Sequence, residues 1–234
     1  MNLLLLHADE LREDGTARLT GRRLLHAREV LKAAQGDALR VGVLRGKTGV
    51  AEVLAISEGE LVLRAELRDE PLARAGVELL LALPRPKALR KILPAVASLG
   101  VDRLVLVNAA RVEKSYFGSH VLDEAQALFE EGLEQARDTR PPELLVRKLF
   151  RPFVEDELDA LLPTQRLLAH PGAAAAPQRG VAPLALAIGP EGGWVPFELQ
   201  LLEARGFVPF TLGPRTLRTE VAVTYALGVL RDAR

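Results

Sequence analysis

The sequence predicts an α/β protein in two parts, a small β-rich N-terminal domain followed by a larger domain built on a mainly parallel sheet. Three observations carry that prediction. Short segments with partial apolar alternation crowd residues 38–67. From residue 77 onward, runs that are apolar on both faces alternate with amphipathic stretches. The chain has 234 residues and is 48% hydrophobic, enough to bury one large core or two smaller ones.

In the first seventy residues, "TGRRLLHAREVLKAAQGD" has a helical rhythm at Leu24, Leu25, Val30 and Leu31, closed by Gly36. The segments "ALRVGVL", "VAEVLAI" and "ELVLRAEL", split by "RGKTG" and "SEGE", carry strand and hairpin signals. Together they predict a small barrel with one helix. "RDEPLARAG" (68–76) reads as a linker, which places the domains at 1–72 and 73–234.

Beyond the linker the apolar runs are "VELLLAL", "RLVLV", "ELLVRKL", "QRLLAH", "PLALAIG" and "FVPFTLG". Between them lie "KALRKILPAVASLG", "SHVLDEAQALFEEGLEQARD", "FVEDELDALL" and "PFELQLLEARG", the helical half of a parallel α/β pattern. "PGAAAAPQRGVAP" (171–183) reads as a flexible loop. The last segment, "TEVAVTYALGVLRDAR", reads as a helix with Thr219 as its N-cap.

Composition narrows the chemistry. Cysteine is absent, which removes disulfides, thiolate nucleophiles and cysteine metal sites together. With four histidines as well, no metal is expected. Basic and acidic residues balance at 31 each, so any nucleic acid must be held by a local patch. No apolar stretch is long enough to span a bilayer, and the start "MNLLLLHADELRED" has neither a basic n-region nor a small-residue cleavage site, so a soluble cytoplasmic protein is expected.

Two phrases near the end stand out, "LALAIGPEGGWVPFE" and "FTLGPRTLRTEVAVTYAL". Both put glycines just past an apolar run, where ligands sit in open α/β sheets. Gly189, Gly192 and Gly193 permit close approach of backbone to a ligand, and Pro190 and Pro214 stiffen the two turns. Neither a dinucleotide fingerprint nor a G-K-[ST] phosphate loop is present, and Glu191 would repel a pyrophosphate. A cationic or zwitterionic ligand suits the loop better.

These residues resemble a known family. "IGPEGGWVPFE" followed by "LGPRTLRTEVAVTYAL" closely resembles the paired signature of the RsmE family, the 16S ribosomal RNA uridine N3-methyltransferases of the SPOUT superfamily. "HAREVLKAAQGDALRV", "KALRKILPAVASLGVDRLVLV" and "GLEQARDTRPPEL" resemble its other segments, so the likeness covers nearly the whole chain. "AARVEKSYFGSH" keeps Arg111 and Lys114 but departs from the family's usual phrase there.

The resemblance implies a PUA-like barrel joined to a domain with a C-terminal trefoil knot, which connection rules would otherwise exclude. It implies a homodimer that holds S-adenosyl-L-methionine (SAM) in the knot and acts on 16S rRNA or the small ribosomal subunit. Carried over by residue, the cofactor-binding positions are Leu168, Ala169 and His170; Gly189, Pro190, Glu191, Gly192 and Gly193; and Leu212, Gly213, Leu217, Arg218, Thr219 and Ala222.

Arg218 and Glu220 are the candidate catalytic pair, a cation to stabilise a deprotonated uracil and a carboxylate to accept the N3 proton or orient the base. A local ion pair at a helix start is the competing reading. Arg22, Arg23, His26, Arg28 and Lys32 form one candidate RNA surface, and Arg85 and Lys87, followed by Arg90 and Lys91, a second. A solvated helix face is the competing reading of each, and the stronger competitor for the second. A non-catalytic RNA-binding module and a nucleotide-binding α/β enzyme are the competing functional classes.

Overall fold

The computed structural model describes residues 2–176 and 181–230. The expected loop 171–183 and the expected helix 219–234 therefore each lie partly outside the described residues.

In chain order the first elements are β1 (Leu4–Leu6), β2 (Thr16–Leu19), α1 (Gly21–Leu25), β3 (Ala38–Val43), β4 (Thr48–Ile56) and β5 (Leu61–Asp69). Then come β6 (Val77–Ala82), α2 (Pro86–Ser98), β7 (Arg103–Val107), α3 (His120–Asp123), α4 (Ala125–Ala136) and β8 (Glu143–Arg147). The rest are α5 (Phe150–Pro152), α6 (Leu158–Leu161), β9 (Gln165–Ala169), β10 (Leu184–Ile188), α7 (Pro196–Ala204), β11 (Phe207–Phe210) and α8 (Thr219–Leu230). They form two compact units, one of Met1–Ala73 with Phe129–Pro141, the other of Arg74–Leu128 with Pro142–Arg234. The sequence reading had placed 129–141 wholly in the second domain.

The first unit carries a five-stranded sheet in the order β1-β3-β4-β5-β2. The three strands read from alternation are β3, β4 and β5, paired antiparallel in sequence. Alternation works here because one face is buried: Ala51 and Val53 have no exposed surface while Glu52 between them faces solvent. Of the two outer strands, β1 lacks that alternation and β2 shows it over too short a span. β1 is a run of leucines buried throughout and paired parallel to β3, and β2 is only four residues long.

The expected helix is shorter than its apolar rhythm. α1 passes at His26 into a wider five-residue turn, and Lys32, at φ +54°, stops it before Gly36. Leu24 and Ala27 still reach the core beside Leu4, Leu19, Val41 and Leu63. Each fully buried leucine there contributes about 1.5–3 kcal/mol. Residues 129–141 join this unit through the Asn2 N–H to the Glu134 carbonyl (2.9 Å) and the Arg45 N–H to the Thr139 carbonyl (2.6 Å).

The second unit carries a six-stranded sheet in which every neighbour is parallel, ordered β11-β9-β10-β6-β7-β8. All six strands coincide with the six apolar runs. Consecutive residues such as Leu79, Leu80 and Leu81, or Leu104 to Val107, have no exposed surface, as strands covered on both faces require. α8 packs against α2 and β10. Arg166 of β9 is 7% exposed, and its guanidinium binds Asp159, the Arg205 carbonyl and the Pro163 and Leu162 carbonyls.

The order brings the carboxyl ends of β9, β10 and β11 together although the chain makes them in a different sequence. The Thr211 N–H beyond β11 donates to the Ala175 carbonyl beyond β9 (2.8 Å), and the His170 N–H donates to the Phe210 carbonyl (2.9 Å). Among the described residues no helix is long and apolar enough to cross a membrane.

Candidate functional site

A cleft opens where these three strands end, lined by Ala169, His170 and Pro171, by Ile188, Gly189, Pro190, Glu191, Gly193 and Trp194, and by Leu212, Gly213, Arg215, Thr216, Leu217, Thr219 and Ala222. Its walls are three loops whose conformation follows from their glycines and prolines. After β10 the Gly193 N–H closes a turn onto the Pro190 carbonyl (2.8 Å), and Gly193 takes φ +74°. After β11 Gly213 sits at φ +108°, a conformation that favours glycine.

Gly189 has a different reason. A Cβ there would lie 3.1 Å from Trp194 Cδ1 and Nε1, so the indole can lie against the strand end only because the side chain is missing. Trp194 is 4% exposed, its ring centre is 5.6 Å from that of Phe150, and its Nε1 has no partner among the described residues. A buried N–H beside the cleft therefore lacks the partner that such groups ordinarily have.

Most of the expected cofactor positions line this cleft. Leu168 does not, being fully buried in β9. Gly192 turns its carbonyl towards the Arg111 guanidinium, which donates to it. Arg218 is exposed, and its carbonyl accepts the N–H groups of Val221 (3.0 Å) and Ala222 (2.8 Å). Arg218 therefore occupies the N-cap position, and Thr219, expected there, is the first helical residue, 5% exposed in the cleft wall. Pro171, Ile188, Trp194, Arg215 and Thr216 line it too, outside the expected positions; the "GGW" and "GPRT" phrases adjoining the named glycines were the available signal.

The two loop carboxylates are both engaged by the start of α2. Glu191 Oε1 accepts from the Arg85 N–H (3.1 Å) and Nε (3.3 Å), and Glu220 Oε1 accepts from Lys91 Nζ (3.2 Å). Glu191 is thus shared with Arg85, and the preference for a cationic ligand inferred from its charge loses force. Glu220 pairs with Lys91 and not with its neighbour Arg218. Its pKa is held below the usual carboxylate range, first by its own backbone N–H and then by Lys91 and Arg218, against the opposing effect of burial.

Behind the loops, Glu198 of α7 is a carboxylate only 3% exposed. It accepts from the Ala110 N–H (2.7 Å) and the Val195 N–H (3.0 Å), tying the segment after β7 to the helix that follows the glycine loop.

The other expected RNA residues are placed as follows. In the first unit Arg22 pairs with Glu134 (2.8 Å), a carboxylate 2% exposed whose pKa burial pushes up. Arg23 is committed to Glu10 and to the Leu5 carbonyl. His26 is half-buried with Nε2 unpartnered among the described residues, Arg28 lies near Glu29 (3.9 Å), and Lys32 ends the helical turn. In the second unit Arg85 and Lys87 are exposed at the start of α2. Among the described residues no group of three or more His, Asp or Glu side chains could hold a metal ion.

A family model described as an RNA methyltransferase domain matches residues 71–231. The ribosomal RNA small subunit methyltransferase E of Treponema pallidum (strain Nichols) is 34% identical over 244 residues, covering 98% of this chain and 90% of that protein. A methyltransferase of Legionella pneumophila, solved with bound SAM, shares the fold at TM-score 0.78 and 24% identity, with 98% of this chain and 96% of that one covered. The small subunit methyltransferase E of Neisseria gonorrhoeae, solved with S-adenosyl methionine, does so at TM-score 0.76 and 21% identity, with 97% and 95% covered. A signature of glycine turns, folded into a cleft on a parallel sheet and matched along almost the entire length of a curated relative, assigns the chain to the ribosomal RNA small subunit methyltransferase E family.

Proposed function

We propose that the protein transfers a methyl group from SAM to N3 of a uridine in 16S ribosomal RNA, as part of the free RNA or of the small subunit. The observation that carries this reading is the cleft itself, made of the phrases that carry the family likeness and walled by backbone that glycines leave open. The residues suit SAM: the loop beyond β11 lines the cleft with backbone at Leu212 and Gly213 beside the apolar Ile188 and Ala222, and the Trp194 N–H has no partner among the described residues. SAM supplies an activated methyl, so the tasks left to the chain are placement and removal of the N3 proton.

Arg218, at the mouth of the third loop, stabilises negative charge on a uracil oxygen as N3 ionises. Glu220 orients the base. Its lowered pKa makes it a weak base, so the N3 proton passes to solvent water as N3 ionises, and the methyl leaves SAM with S-adenosylhomocysteine as the leaving group. Leu168 supports the cleft from beneath, and Gly192 acts through Arg111.

The wider reading rests on the same footing. A trefoil knot is supported by the strand order, with β11 beyond β9, and by the Thr211–Ala175 bond between the loops that a threaded chain would cross. The mixed five-stranded sheet of the first unit suits a PUA-like RNA-binding barrel. A homodimer is supported by Val221 and Tyr225, 45% and 49% exposed at i, i+4 on α8. A cytoplasmic location follows from the substrate.

The test is direct. Small-subunit RNA from a strain lacking this enzyme should gain one methyl on a uridine when incubated with the protein and SAM, located by mass mapping. A ligand screen in which ATP or NAD raises Tm and SAM does not would overturn the cofactor assignment.

A further inference from the structure

N3 is the hydrogen-bonding edge that uridine uses in base pairing, so a transferase reaching it needs the base unpaired and its neighbours splayed. Unpaired bases need a surface to stack on. We propose that the segment Arg111–Gly118 is that surface, with Tyr116 stacking on a base next to the target uridine and the adjoining cations holding the phosphates of single-stranded RNA. This rests on the methyltransferase reading above.

Three observations carry it. The segment is fixed at the cleft, not loose above it: Ala110 is bonded to Glu198 (2.7 Å), and Arg111 donates to the Gly192 carbonyl while its side chain fills the space a Gly192 Cβ would need, 2.8 Å from Cδ. Further along, the segment turns on itself, with the Tyr116 N–H to the Glu113 carbonyl (3.0 Å) and the Ser119 N–H to the Tyr116 carbonyl (3.2 Å). Tyr116 is half-exposed; burial, then the Glu113 carboxylate that its hydroxyl bonds, then Glu191 on the cleft wall push its pKa up, against Arg85.

The charge near it is mixed but mostly basic: Arg111, Lys114 and Lys87 are exposed and Arg85 is shared with Glu191, while Glu113 bonds the phenol. An aromatic ring among cations beside a reaction cleft is the composition that binds single strands through backbone charge and base stacking. A duplex would find no ladder of cations here and would keep N3 hidden.

The test uses steady-state methylation of a small-subunit RNA fragment by the full chain. Tyr116→Ala should raise KM for RNA about tenfold, leave kcat at saturating RNA and the Kd for SAM unchanged, and Tyr116→Phe should stay within about twofold of wild type. A single abasic nucleotide placed in turn on each side of the target should reproduce the tenfold loss at one position with the wild type, and cause no further loss with Tyr116→Ala. The proposal is overturned by an unchanged KM in Tyr116→Ala, by a Phe variant as impaired as Ala, by a matching rise in the Kd for SAM, or by abasic effects that add to the mutation. Wild-type protein that methylates no RNA would instead overturn the functional reading.

Discussion

Glu220 has its pKa held below the ordinary carboxylate value, first by its own N–H and then by Lys91 and Arg218, which stabilise the charged form. No inflection of kcat between about pH 5 and 8 should therefore belong to it, and Glu220→Gln should lower kcat without moving the profile. Arg218→Ala should lower kcat by about 10²–10³, with the Kd for SAM changed less than threefold, as calorimetry would show. Near-normal turnover in Arg218→Ala would remove it from the mechanism. Gly189→Ala belongs to the same scale but acts by volume: its Cβ would meet Trp194 at 3.1 Å. The shift it forces should cost about 1–3 kcal/mol and weaken SAM binding, whereas Gly206→Ala, with open space around it but φ +81°, should affect stability alone.

At the scale of elements, α7 matters through one buried carboxylate. Glu198→Gln places an amide N–H against one of two backbone N–H donors, and Tm should fall by the equivalent of about 1–3 kcal/mol. KM for RNA should rise with it, because the Arg111 segment loses its anchor. The elements of the larger unit were legible because each strand is covered on both faces and so reads as an unbroken apolar run. β1 and β2 were not, one lacking alternation and the other too short. The end of α1 was misplaced because the sequence offers Gly36 as a stop and gives no hint that Lys32 adopts the left-handed conformation first. The glycine turns announced the cleft, but the Lys91–Glu220 and Arg85–Glu191 pairs join residues more than a hundred positions apart, which no local pattern encodes.

For the whole molecule, stability in acid has an identifiable contributor. Asp159 is held below its usual pKa by bonds from Arg166 and then Arg205, so its contribution is complete above about pH 3.8 and is lost as pH falls through the depressed value. Asp159 is 54% exposed, and screening limits the gain to about 1 kcal/mol. Asp159→Asn should lower Tm by about 2–4 °C at neutral pH, with the difference from wild type shrinking as the acid limb is descended. Assembly is tested separately: Tyr225→Glu should convert a dimer to monomer by ultracentrifugation, and a monomeric wild type would overturn the homodimer. Trp194 is the chain's one tryptophan, and it stands in the cleft wall against Phe150. The intrinsic emission of the protein is therefore a single-site optical probe, so filling the cleft should change its intensity and wavelength with no label attached, and stopped-flow mixing should time ligand entry from the native protein alone.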